Sequence, residues 1–214
     1  MKAPKAEYHP LEEKLNVISH GVGLVLAILG TGLLLFKAIP LHNVWAIVGS
    51  LVFGASMITL YAASTFYHRA TQESQRRKLR VFDHSSIYVL IAGTYTPFTL
   101  VTLHGTIGWV LFGITWSLAI GGIVLKIFYT GRYNLLSTIM YVVMGWNIVF
   151  AIYPLMDAIG VAGFLWLLIG GIIYSVGAVL YLFDTIKYMH ATFHLFVLLG
   201  TACHFVAIYF YVLS

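Results

Sequence analysis

The sequence predicts an all-α integral membrane protein: seven transmembrane helices, with the N-terminus in the cytoplasm and the C-terminus outside. Composition is the first ground. Of 214 residues, 60% are hydrophobic and 9% charged, with a mean hydropathy of +0.92; soluble domains carry about 25% charged residues. The second is a series of seven apolar runs, each near the ~20 residues a helix needs to cross a bilayer. The third is charge. Nearly all basic residues fall in alternate connections, which the positive-inside rule reads as cytoplasmic.

The runs cover 17–38, 43–67, 82–103, 106–127, 134–153, 159–182 and 190–213. A polar cytoplasmic segment, 1–16, precedes the seven-helix transmembrane domain, 17–214. That segment lacks a basic stretch leading straight into a short apolar core and cleavage site, so no signal peptide is expected. Pro10 suits a helix N-terminus. Short connections are marked by Pro40 and His42, by Arg69 to Arg80, by His104-Gly105, by Thr130-Gly131-Arg132, by Pro154 to Gly160, and by Asp184 to Lys187. Pro97, inside the third run, predicts a kink. Gly113, Ser117 and Gly121 set small residues four apart on the fourth run, a helix-packing surface. The lone cysteine, Cys203, rules out an internal disulfide. There is no internal repeat, phosphate-cradling glycine loop or nucleophile elbow.

Lys2, Lys5 and Lys14 precede the first run, and Arg69, Arg76, Arg77, Lys78 and Arg80 separate the second from the third. Lys126 and Arg132 flank the fourth connection and Lys187 lies in the sixth, against Lys37 alone on the other side. This bias accounts for the net charge of +5. The basic 69–80 connection suits anionic lipid headgroups rather than nucleic acid. Inner-leaflet membrane lipid is the expected partner; no nucleic acid and no obligate protein partner are expected.

Topology then gathers residues far apart in sequence. His68 closes an inward-going run, Asp83 opens an outward-going one, and His190 and His194 open another. All four fall at one depth on the cytoplasmic side. His190 and His194, four apart, project from one helix face, as do Ser64 and His68. Three neutral imidazoles, His68, His190 and His194, fill three positions of a tetrahedral zinc site, leaving the fourth for water, as in a catalytic centre. Zinc lowers the pKa of such water to about 7. Asp83 would hold that water as a general base, or act one layer out. Ser64 would hydrogen-bond a substrate carbonyl or developing oxyanion.

Taken singly, each residue has a plainer reading. A histidine at this depth is an interfacial anchor, Ser64 back-bonds to its own helix, and Asp83 caps a helix or pairs with an arginine. Shared depth and spacing together point to a metal. Glu13, Asn16, His20 and His84 are candidates for the layer around it. Glu13, Asn16 and His20 share a face that either closes the cytoplasmic mouth or is the solvated side of an amphipathic entry helix. His84 is turned about 100° from Asp83. His204 follows the face of His190 and His194 but lies roughly 15 Å deeper, so it lines a cavity or bonds a backbone carbonyl. His42 and His104 belong to solvated outer loops and His9 to the polar tail.

The set Glu12-Glu13-x-x-Asn16-x-x-Ser19-His20, Ser64-x-x-x-His68, Phe82-Asp83-His84, Ala92-Gly93-Thr94-Tyr95-Thr96-Pro97-Phe98 and His190-x-x-x-His194 resembles the bacterial hemolysin III family. That group belongs with the progestin and adipoQ receptors (the adiponectin receptor-like superfamily) and, more distantly, the alkaline ceramidases. The resemblance runs from about Glu12 to the end of the chain. It implies a seven-helix fold with Zn2+ near the inner leaflet of the bacterial cytoplasmic membrane. Residue by residue, His68, His190 and His194 match the zinc ligands, Asp83 the carboxylate that holds the zinc-bound water, and Ser64 the serine of the hydrolase-like site. The short N-terminal segment does not match that of the animal receptors, so a hormone receptor is not implied.

The expected function is that of an intramembrane, zinc-dependent lipid amide or ester hydrolase, ceramidase-like, in membrane-lipid homeostasis. Two alternatives stay open. One is a receptor-like sensor in which a structural zinc clamps the second, third and seventh helices. The other is a hemolysin III-type cytolysin, suggested by the family name and opposed by the seven-span topology.

Overall fold

The computed structural model describes residues 8–183 and 185–214. Lys2 and Lys5 of the charge argument, most of the 1–16 segment's start, and Asp184 lie outside the described residues. Seven α-helices occur among the described residues: α1 Pro10–Ala38, α2 Val44–Arg69, α3 Glu73–Pro97, α4 Gly105–Tyr129, α5 Asn134–Gly145, α6 Ile152–Tyr181 and α7 Met189–Ala207. Pro10 takes the first helical position of α1, where its missing N–H costs nothing, and His9 Nδ1 caps the end by accepting from Leu11 N–H at 3.3 Å. Asn43 caps α2 through Trp45 N–H at 2.9 Å.

Two breaks shape the bundle. Proline cannot supply the N–H that continues an α-helix. α3 accordingly ends at Pro97 and passes into a wider π-turn, Phe98–Thr102, closed by Leu103 N–H to Phe98 O at 2.8 Å. α5 gives way at Trp146 to a 3-10 turn, Asn147–Ala151. The connection expected at 154–160 is mostly helical, because Pro154 sits in the first turn of α6, where no donor is required. Within that stretch the helical path breaks only at its last residue, Gly160, with φ 68° and ψ 170°, a conformation that favours glycine.

Side-chain meetings fix the helix directions. Gly23 packs on Tyr61 and Gly54 on Thr31, so α1 and α2 are antiparallel. Gly49 against Pro97 and Gly93 against Ser56 make α2 and α3 antiparallel, and Tyr88 against Gly122 with Thr99 against Gly108 does the same for α3 and α4. α5 runs with α3: Tyr141 Oη donates to His84 O at 3.0 Å and Tyr95 Oη to Gly145 O at 2.8 Å. α7 runs with α1, since Gly23 meets Leu198 and Gly30 meets Phe205. α6 opposes α7 through Gly177–Phe196, Gly170–His204 and Gly163–Tyr211. The starts of α1, α3 and α7 and the finish of α2 therefore share one end of the bundle.

The fourth-run packing surface is corrected. Gly113, Ser117 and Gly121 face outward, and among the described residues no atom of another element would come within 4 Å of a Cβ at Gly113 or Gly121. α4 buries the stripe Gly108, Leu111, Thr115, Ala119, Gly122 and Lys126, because Tyr88 of α3 fills the space where Gly122 lacks a side chain. Lys126, expected to flank a connection, is thereby turned inward.

Pro10–Leu41, Val44–Arg69, Gly105–Tyr129, Asn134–Tyr181 and Met189–Val212 are each long and apolar enough to cross a membrane. Large apolar side chains cover the outside, with Phe150 and Tyr153 84% and 81% exposed, while Leu34, Phe53, Leu155 and Ile208 fill the core. Such a surface is matched by lipid rather than water.

Candidate metal centre

The buried stripe of α1 explains why the site forms at this end. It reads Glu12, Asn16, His20, then Gly23, Ala27, Gly30 and Leu34: polar in the first turns, small and apolar beyond. The small residues let α1 approach α2 and α7 closely. That contact carries the polar turns of α1 against the last turn of α2 and the first turns of α7. Asn16 and His20 are buried, so this face is not the solvated side of an entry helix.

Three imidazoles meet there. His190 Nε2 lies 3.2 Å from His68 Nε2 and 3.2 Å from His194 Nε2. All three residues are buried, and their nearest ring nitrogens fall within 4.8 Å of one another. Outer partners decide what these nitrogens offer. His68 Nδ1 faces Glu13 Oε2 at 2.7 Å and must donate to it, which leaves Nε2 with a lone pair. Ser19 spends its hydroxyl proton on Asn16 O at 3.1 Å, so it accepts from His194 Nδ1 at 3.2 Å; His194 Nε2 is likewise a lone pair. Two lone pairs thus converge on a third nitrogen that has at most one proton to give. A cation satisfies all three. Two ligands at a zinc–nitrogen distance of ~2.0–2.1 Å in tetrahedral array stand about 3.3–3.4 Å apart, close to the 3.2 Å found. The cluster can hold a metal ion.

The surrounding layer is built mainly by α1. Glu13 joins His68 to Arg76, whose guanidinium also donates to Ala70 O at 3.2 Å and lies 4.8 Å from the centre of the Tyr67 ring. Asn16 Nδ2 is 3.4 Å from His68 Nδ1. His20 stacks on His194, centroids 3.6 Å apart and planes within 7°, and Tyr8 stacks on His190 at 4.5 Å. Ser19 and Arg76 were not singled out from the sequence as site residues. Ser19 could have been, since it follows Asn16 by three positions on the same helix; the reach of Arg76 back to Glu13 leaves no mark in spacing.

A cavity of about 120 Å³ opens beside the cluster. Ser64, Asp83, His84, His20, His190 and His194 lie in its wall, with apolar and aromatic residues of α3, α5, α6 and α7 making most of the remainder. Asp83 stands ten residues inside α3 and does not cap it. The Ser64 hydroxyl lies beside Asp83, short of a full hydrogen bond, and is not bonded back to its own helix. His84 keeps apart from the triad, edge-on to Tyr181 at 6.1 Å with Nδ1 buried and unpartnered. His204 lines the deep end of the cavity and its Nε2 donates to Leu167 O at 3.1 Å. His42 and His104 are exposed, and His9 is the α1 cap.

Apolar helices long enough to span a bilayer, around a buried imidazole cluster that can hold a metal, define an integral membrane protein with a candidate metal centre at one end of its bundle. The chain belongs to the haemolysin-III related family, which it matches over residues 8–205. It is 48% identical over 200 residues to the Hemolysin-3 homolog of Bacillus subtilis (strain 168), covering 94% of each chain. It is 46% identical over 202 residues to Hemolysin-3 of Bacillus cereus, covering 94% of this chain and 92% of that one. The human monocyte to macrophage differentiation factor is 26% identical over 206 residues, covering 94% and 84%. That more distant likeness supports the wider progestin and adipoQ receptor grouping.

Proposed function

We propose that the protein crosses the bacterial cytoplasmic membrane seven times with its N-terminus inside, holds zinc at His68, His190 and His194, and hydrolyses the amide or ester bond of an inner-leaflet lipid. One observation carries the reading. The Nε2 atoms of the triad converge beside a largely apolar cavity whose wall also bears Asp83 and Ser64. Helix directions and lengths support seven crossings. The 48-residue run Asn134–Tyr181 would stretch about 72 Å as one helix, over twice the ~30 Å hydrocarbon core, and α5 and α6 oppose each other in direction across Gly160. α3 supplies the remaining crossing through its less charged part beyond Asp83. The cytoplasmic N-terminus rests on the charge bias, and the domain division at 16/17, which falls within α1, on the polarity of the first sixteen residues.

A zinc ion held at the triad supplies Lewis-acid polarisation of the scissile carbonyl. The chain's own residues do the rest. Asp83, buried in the cavity wall, takes the proton from the attacking water and returns it to the departing amine nitrogen or alcohol oxygen as the acyl bond breaks. The Ser64 hydroxyl, one turn from His68, donates to the carbonyl oxygen as charge develops there. Glu13 and Ser19 hold two of the imidazoles with their Nε2 lone pairs turned inward. The apolar wall accepts an acyl chain and keeps bulk water out. The test is release of free fatty acid, read by mass spectrometry, from a broad ceramide and phospholipid panel. Release by the zinc-loaded protein, lost in Asp83→Asn with zinc retained, is expected; no release from any lipid would remove the hydrolase.

A second reading has its own support. The triad ties α2 to α7, helices that pack mainly on α1, α3 and α6 and are otherwise joined by the Tyr61–Thr201 hydrogen bond at 2.8 Å. A zinc there would clamp the bundle in a non-catalytic sensor. Then His68→Ala would lower thermal stability strongly and leave lipid turnover unchanged.

A further inference from the structure

Lys126 has no part in the zinc site. It sits on the buried stripe of α4, 1% exposed, with its ammonium 5.9 Å from the centre of the Tyr141 ring. Arg80 reaches the same end of the bundle from α3. Its guanidinium lies against Gly131 in the turn between α4 and α5, where a Cβ would stand 3.4 Å from Nη1 and 3.6 Å from Nη2. Both cations border the corner marked by Tyr141 and His84, since Arg80 stands about one turn before His84 on α3. Among the described residues no carboxylate oxygen comes within 4.0 Å of either, and Asp83 in the cavity wall acts on Arg80 only from farther off. Arg80 Nε is buried without an acceptor, and so is Nδ1 of the neighbouring His84. His84 is tied to this corner by the Tyr141 hydroxyl, which donates to its backbone oxygen at 3.0 Å.

A buried ammonium beside a guanidinium is costly unless an anion completes it. A point-charge donor next to a forked, planar one suits the several oxygens of a phosphate. Basic pockets between helices at the cytoplasmic face are where anionic headgroups settle. We propose that Lys126 and Arg80 form a binding site for one phosphate group, carried by a phospholipid of the inner leaflet. His84 and Tyr141 belong both to this corner and to the cavity wall, so headgroup and cavity lie on either side of the same two residues. Placing this end at the inner leaflet rests on the proposed topology; the phosphate site uses none of the metal ligands, and its test is separate from any hydrolysis.

The detergent-purified, zinc-bearing full chain is titrated with dioctanoyl-phosphatidylglycerol, with dioctanoylglycerol (the same chains without phosphate) and with inorganic phosphate, and bound species are counted by native mass spectrometry. One phosphatidylglycerol per chain is expected. Binding should weaken at least about tenfold in Lys126→Gln and in Arg80→Gln, the scale of one lost charge-assisted hydrogen bond, with zinc content unchanged, and Lys126→Arg should restore it. Half-buried Arg80 carries the test if Lys126→Gln does not fold. Equal binding of dioctanoylglycerol, or parent-like binding by both glutamine variants, would overturn the site. Inorganic phosphate binding as tightly as the lipid would overturn the lipid as its ligand.

Discussion

His68 presents two nitrogens to two different environments. Nδ1 meets a carboxylate already committed to Arg76, and Nε2 meets two other imidazoles. The Glu13 contact thus fixes the tautomer and aims the ring, a role that outer-layer carboxylates commonly play for metal-bound histidine. Glu13→Ala removes that anchor and spares all three ligands. Its zinc affinity, measured by chelator competition, should fall by about 10- to 100-fold, with near-parent stoichiometry at saturating metal. Unchanged affinity would mean that the Glu13 contact does not set the donor state of His68.

At the scale of elements, the site depends on close helix contacts made at small residues. Gly93 of α3 meets α2 so tightly that a Cβ would come within 2.3 Å of Ser56 Oγ and 2.5 Å of its Cβ. Gly93→Ala should cost on the order of 1–3 kcal/mol through overpacking, read by denaturant titration of the micellar protein. Parent-like stability would mean that Ser56 swings aside freely. The elements differ in how legible they were. Apolar length and basic connections marked α1, α2, α4 and α7, and the i, i+4 histidine pair on α7 pointed to its partners on α2. The break falls at Gly160, the last residue of the expected connection, because Pro154 is harmless in a first helical turn. The stripe Gly113, Ser117 and Gly121 looked like packing surface, yet spacing alone does not say which face of an all-apolar helix turns inward. Tyr88 against Gly122 decided it, and that choice buried Lys126. Glu13 and Asn16 were legible by spacing as neighbours of the site, whereas Arg76 was not, since its contact depends on how the α2–α3 turn folds back.

In the whole molecule, the proposed topology puts the starts of α1, α3 and α7 on the cytoplasmic side. In a Cys203→Ser background, a membrane-impermeant maleimide should label His42→Cys in intact cells and Glu73→Cys only after permeabilisation. The reverse pattern would invert the topology and remove the inner leaflet as the source of substrate. The central claim is that the buried imidazole cluster is a zinc site. It is tested most directly by metal content in detergent-purified protein, beside His190→Ala/His194→Ala. About one zinc per parent chain is expected, the ratio of a single three-histidine site, and none in the double variant. A well-folded parent without metal, or a variant that keeps its zinc, would contradict it.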